Sequence, residues 1–403
     1  MGHAAGPALM EKMGFSARDE DERNVAASII ADVVIGHRTG HATAFSLRTN
    51  NYTALRRYHP LMTYQNIKRG MFGLDMMGLV EVEKGKSWKD GGRGKQSRCW
   101  ASDLCLDLVG ENPELTPRPG PLLILKDSDK ALIGFTDTRR TRAMENDIRD
   151  QNACIASTQI RLEAPDVTWR DNGFVTVPGL PKKDGRMSRT ITIRTDLVSL
   201  RRIGNNGSWT QGMRYYAHFA QGLPKARRQQ LTFGGMPVAL LDFAASHPSI
   251  LYAQAGAAMD GDPYEVPGFP RDETKLALLI IVNAANRHQA IEAMAWRIAQ
   301  TEAQTDDETV AIRPDHRTYV RRLLAAIDIR HEPIKSAFCT GIGTALQYIE
   351  AEVIGAVMRA ARKAGITTIP VHDEVICPDK DAGRVQEMMV DAWVRKVGSF
   401  PSF

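Results

Sequence analysis

Ile369-Pro-Val-His372-Asp373-Glu374-Val375-Ile376 is an apolar stretch interrupted by three polar residues. Apolar residues from Ile366 to Val371 and again from Val375 predict two strands, with His372-Asp373-Glu374 at a tight turn between them. Upstream, Val238-Ala-Leu-Leu-Asp242 reads as a third apolar strand, here ending in a carboxylate. The chain then turns into a helix through Ser246, Pro248 and Ile250. A lone Asp at a strand end is commonly a turn or cap residue. Two such residues, 131 positions apart (373 − 242), can meet across one sheet. Two carboxylates a few ångströms apart repel unless a cation lies between them.

Between these strands runs Arg271-Asp-Glu-Thr-Lys275-Leu-Ala-Leu-Leu-Ile-Ile-Val-Asn283, preceded by Pro270 as suits a helix start. Arg271 and Lys275 fall one turn apart on one face at the positive end of this helix, an arrangement suited to a triphosphate. A surface helix with solvated bases would show the same pair, but the apolar continuation argues for a packed helix whose first turn faces something acidic.

Residues 236–378 resemble the palm and fingers of family A DNA polymerases and of the related single-subunit phage-type RNA polymerases. Leu241-Asp242 is similar to their first carboxylate motif, Arg271-x-x-x-Lys275 to their fingers helix, and Gly341-Ile-Gly-Thr-Ala-Leu-Gln347-Tyr-Ile-Glu to the helix before the last motif. Val371-His-Asp-Glu resembles that last motif. Asp242-Phe-Ala-Ala-Ser-His-Pro-Ser-Ile also resembles a family B motif. The resemblance implies a catalytic set of Asp242, Asp373, His372 and Glu374. Asp242 and Asp373 would hold two Mg²⁺ (or Mn²⁺) ions about 4 Å apart. Arg271, Lys275, His247 and Asn283 would bind nucleotide. The chain departs from family A DNA enzymes at His247, where they carry a Glu that excludes ribonucleotides, and at Leu279 and Asn283, where they carry aromatic residues. Sugar preference stays open on these grounds.

Toward the N-terminus, Val25, Ile29, Ile30, Val33 and Val34 recur at helical spacing. A second helix is expected over 42–57, and a third from an N-cap at Thr63. Strands are expected at Leu79–Glu83 and Gln96–Ala101 around a Gly/Lys-rich loop. This layout, and the run from Tyr64 to Gly85, resembles a winged helix-turn-helix. Lys68, Arg69, Lys84, Lys86, Lys89, Arg93, Lys95 and Arg98 would then contact DNA phosphates. A helical domain with a solvated basic loop, or a protein-docking module, gives the same pattern. Trp209–Lys225 mixes Arg214 and His218 with Tyr215, Tyr216 and Phe219, either to meet a template or as the core face of an amphipathic helix. Thr138–Arg149 is expected to be a solvated helix.

The expected fold class is α+β. The expected domains are a frayed segment (1–20), a winged helix (21–110), a Pro-rich linker and connector (111–200), and a palm of antiparallel sheet and helices with small helical fingers (201–403). At 403 residues, 43% hydrophobic, with net charge +5 and pI near 8.9, the chain has ordinary globular composition and a mildly basic balance. Five cysteines without CxxC spacing predict reduced thiols and no zinc site. No apolar run reaches membrane-spanning length, so a cytoplasmic, nucleoid-associated protein is expected.

The expected function is DNA-templated nucleotidyl transfer in replication, the small size suggesting a mobile element. The partners would be duplex DNA at the winged helix, single-stranded or primed template at the palm, nucleoside triphosphates and other replication proteins. A primase or RNA polymerase on the same fold is one alternative. A DNA-binding initiator or regulator with an inactive palm is another.

Overall fold

A computed structural model of the chain describes residues 3–49, 52, 55–85, 96–111, 113, 115–118, 120–169, 173–181, 187–303, 312 and 314–403. It is a mixed α+β protein with several sheets. The chain forms two compact units, one of residues 1–207 and 216–238, the other of 208–215 and 239–403. Among the described residues no helix is long and apolar enough to cross a membrane, and the five cysteines are free.

In the first unit the long helix Glu20–Thr39 is started by Asp19, whose carboxylate accepts the Glu22 N–H at 2.8 Å. Three acidic residues in its first turn complement the helix dipole, and Gly40 ends it at φ 73°. Val25, Ile29, Ile30, Val33 and Val34 are buried as the periodicity requires. The helix Tyr64–Met76, capped by Thr63, lies close against it. A side chain at Gly70 would put Cβ 3.2 Å from Ile29 Cδ1. A three-stranded sheet has Ser97–Ala101 in the middle, antiparallel to Thr43–Phe45 on one side and Val80–Glu83 on the other.

Three expectations for this unit change. The helix expected over 42–57 is the strand Thr43–Phe45 and a short helix Leu55–Tyr58. The N-terminal segment is not frayed where described: His3–Ala5 pairs with Leu115–Pro117, and Leu9, Met10 and Met13 join the core. The Pro-rich stretch therefore supplies a strand rather than a linker. The connector joins the same unit for similar reasons. Tyr58 Oη accepts from Leu125 N–H at 2.9 Å and donates to the Ile133 carbonyl at 2.6 Å. His3 Nε2 lies 3.2 Å from Asp196 Oδ2. Leu123–Lys126 pairs in parallel with Arg201–Asn205. Thr138 and Thr141 form a reciprocal cap for the charged helix Arg139–Ala156. Gly234 and Gly235, both at positive φ, make the two-residue turn of the hairpin Leu231–Phe233/Met236–Pro237.

In the second unit the strand Glu374–Pro378 is wholly buried and lies between Ile369–Val371 and the strand that ends at Asp242. The hairpin pairs Val371 with Glu374, leaving His372-Asp373 as a two-residue turn with His372 at φ 60°. Helices cover the sheet. Trp393, on the helix Ala382–Val397, is buried against Phe243, with ring centroids 4.6 Å apart. The aromatic segment, for which the sequence leaves a template contact and an amphipathic helix both open, forms the strand Ser208–Tyr216.

Candidate active site

Asp242 closes its strand, and the backbone then turns sharply through Ala245, a non-glycine residue at φ 50°. That left-handed turn starts the helix Ser246–Gln254 directly beside the carboxylate. Ser246 Oγ donates to Asp373 Oδ2 at 2.9 Å, tying the helix start to the hairpin turn. Burial raises the Asp373 carboxyl to about 6, and the negative charges of Glu350 and Asp242 push the same way, against the Ser246 hydrogen bond. Like charges concentrated at a partly dry site are what a divalent cation relieves. Among the described residues no group of three or more His, Cys, Asp or Glu is arranged to hold a metal. A pair of carboxylates whose remaining ligands are water and phosphate oxygen still fits magnesium.

Asp242 and Asp373 line one cavity of about 830 Å³, together with Arg214, His247, Tyr264, Arg271 and Lys275. The structure thus brings together two expected metal ligands and three of the four expected nucleotide contacts. Arg271 and Lys275 sit in the first two turns of the helix Arg271–Asn283. Both lie over the ring of Tyr264, at 5.2 and 5.4 Å from its centroid. Arg271 Nε also bonds Asp262 Oδ2 at 2.5 Å, so Lys275 is the less committed cation.

His247 points to a different partner set. Arg214 grips Glu350 through Nε and Nη2 at 2.7 and 2.6 Å. His247 Nε2 lies 3.3 Å from Glu350 Oε2 and 3.4 Å from Arg214 Nη2. A carboxylate only accepts and a guanidinium only donates, so Nε2 either donates to Glu350 or accepts from Arg214, and both contacts hold the ring in place. Burial pushes the Glu350 carboxyl up, but the hydrogen bonds from His247 and Arg214 outweigh it and hold the group below the usual range.

Other expected residues lie elsewhere. His372 is exposed on the turn and Glu374 is buried in its strand. Asn283 donates to the Leu279 carbonyl at 2.8 Å and packs over Gly343, outside the cavity lining. Arg214, expected at a template, does line the cavity but is bound to Glu350. In the first unit Lys68, Arg69, Lys84 and Arg98 are exposed; Lys86, Lys89, Arg93 and Lys95 lie outside the described residues. Sequence reasoning missed Tyr264, Asp262, Ser246 and Glu350. Only Glu350, an acid on the apolar face of a helix, left a signal.

No protein-family model matches the chain, and no curated protein matches it in sequence.

Proposed function

We propose that the chain is a template-directed nucleotidyltransferase of the palm type, with an N-terminal winged-helix DNA-binding region. The observation that carries this reading is the single cavity shared by Asp242, Asp373, His247, Arg271 and Lys275. In nucleotidyl transfer a 3′-oxygen bonds to the α-phosphorus and the bond to pyrophosphate breaks. Divalent cations held by Asp242 and Asp373 would activate that hydroxyl and stabilise the leaving group. Lys275 neutralises the triphosphate, and Arg271 assists once Asp262 releases it. Tyr264 offers an aromatic face beside these cations for a base or sugar. His247, fixed by Glu350, stands as a steric gate for the sugar.

For the first unit, the sheet order Thr43–Phe45, Ser97–Ala101, Val80–Glu83 packed with two helices supports the winged-helix reading. The exposed bases on the helix Tyr64–Met76 suit a DNA groove.

The test is incubation with primed and unprimed templates, separately with dNTPs and rNTPs, with Mg²⁺ or Mn²⁺. Metal-dependent, template-directed extension is expected with dNTPs. Extension with rNTPs alone transfers the reading to a primase or RNA polymerase. No incorporation under any condition overturns it.

A further inference from the structure

The first unit holds a second cavity, of about 660 Å³, whose lining includes His59, Arg194, Arg201 and His218. That volume is in the range of small-molecule sites. Arg194, at 5% exposure, and His218, at 2%, are among the lining residues that are almost completely buried.

Asp196 grips Arg194 through Nε and Nη2, which fixes the guanidinium, and the Phe174 ring lies beneath it at 4.8 Å. The third nitrogen, Nη1, is buried without a hydrogen-bond partner among the described residues. His218 shows the same incompleteness. Its Nδ1 accepts the Ala220 N–H at 3.2 Å, so the proton sits on Nε2. That Nε2–H is also buried and unpartnered among the described residues. Buried donors are ordinarily satisfied; these two belong to residues that line one cavity and have almost no accessible surface, so an acceptor reaches them only when the lining side chains shift to admit it.

Arg201 adds a full charge. It makes no ion pair or hydrogen bond among the described residues, and its guanidinium rests against Gly120, where a Cβ would come within 3.3 Å of Nη2. Gly120 is thus the residue that leaves room for it. Asp32 is the acidic residue of the lining, and burial raises its carboxyl, the direction that lessens its opposition to an anion. His3, also in the lining, is engaged by Asp196.

We propose that this cavity binds a phosphomonoester of nucleotide size, with the phosphate held first by Arg201 and, as the lining side chains shift to admit it, by the unsatisfied Arg194 Nη1 and His218 Nε2–H. The cationic fork and the neutral donors match a phosphate dianion. The volume exceeds what phosphate alone needs, and Tyr216 and Phe219 in the lining supply an aromatic wall for the remainder.

The test is calorimetric titration of the full chain with AMP, inorganic phosphate or adenosine, in EDTA so that no divalent cation assists binding elsewhere. AMP should bind saturably, phosphate more weakly, and adenosine not measurably. Arg201→Gln should weaken AMP binding about tenfold or more, whereas Lys275→Ala should leave it unchanged. Independently of any variant, AMP should protect Arg201 of the unaltered protein from phenylglyoxal, read by peptide mass spectrometry. Absent AMP binding, AMP binding indifferent to Arg201→Gln, or unprotected Arg201 overturns the site. Phosphate binding without AMP binding overturns its size, and equal binding of adenosine overturns the role of the phosphate.

Discussion

The imidazole of His247 is held by the buried carboxylate of Glu350, 3.3 Å away. The His comes from the helix Ser246–Gln254 and the acid from the helix Gly343–Lys363. A fixed imidazole projecting into the cavity can reject a 2′-hydroxyl by position. His247→Ala should raise the use of rNTPs relative to dNTPs, on the order of tenfold or more. Glu350→Gln should move selectivity the same way by loosening the ring. It should also lower stability by about 3–5 kcal/mol, because Arg214 is left largely buried without its counter-charge. Competition extension assays with both sugars, alongside urea denaturation, measure the two effects. Unchanged sugar ratios in both variants would remove His247 from this role.

On the proposed reading Asp242→Asn and Asp373→Asn should each reduce incorporation by at least about a thousandfold, with folding retained, because each would remove a cation ligand and its charge. Asp373→Asn also relieves repulsion, so its unfolding midpoint in EDTA should equal or exceed that of the unaltered protein. DNA binding by gel shift should persist in both. Near-normal synthesis by either variant is incompatible with the two-carboxylate site.

Lys275 and Arg271 should not behave alike. Arg271 is bonded to Asp262 at 2.5 Å, whereas Lys275 carries its charge free of such a partner among the described residues. Lys275→Ala should raise the nucleotide KM or lower kcat by about tenfold or more for all four bases, since phosphate carries no base identity. Arg271→Ala should have the smaller effect, and Asp262→Asn should partly improve nucleotide binding by releasing Arg271. Steady-state kinetics on one template with each nucleotide varied separates these outcomes.

Much of this architecture is legible in the sequence, and the failures have physical causes. Strong periodicity marks Glu20–Thr39, and an N-cap marks Tyr64–Met76. Apolar runs mark the strands of Asp242 and Glu374 because those strands are packed in a sheet. Thr43–Phe45 is too short for a period-two signal to register. Ser208–Tyr216 hides its strand character at Gly212 and Met213. Both have positive φ and both are buried, so the alternation of inward and outward residues breaks there. Asp242 and Asp373 could be found because each is an acid at the end of an apolar run. The Arg214–Glu350 pair could not, since its partners stand 136 residues apart: Glu350, an acid on the apolar face of a helix, marks itself as buried, but nothing local names Arg214 as its partner.

In the first unit, Lys68 and Arg69 are exposed on the helix Tyr64–Met76, Arg98 on the middle strand of the sheet, and Lys84 just past the strand Val80–Glu83. Replacing all four with Ala should weaken duplex binding and reduce the slope of log affinity against log salt by roughly one for each phosphate no longer neutralised. Thermal stability should change little, because exposed charges contribute little to folding. Fluorescence anisotropy across a salt series measures the slope. An unchanged slope assigns this face to a protein partner.

Burial depresses the His218 imidazole from 6.5 to about 3. In the unfolded chain it titrates near the ordinary value, so between those limits the unfolded state binds a proton that the folded state refuses. Stability from this group is therefore complete above about pH 6.5 and falls as the pH drops. Its slope approaches about 1.4 kcal/mol per pH unit until the folded pKa is reached. His218→Gln removes the titration. The variant should be less stable than the unaltered protein at pH 7.5, where it loses the bond to the Ala220 N–H, and the gap should narrow toward pH 4.5. Urea denaturation of both proteins across this range, followed by a probe in the first unit, gives the difference curve. A gap that stays constant with pH would show that His218 accepts its proton without unfolding.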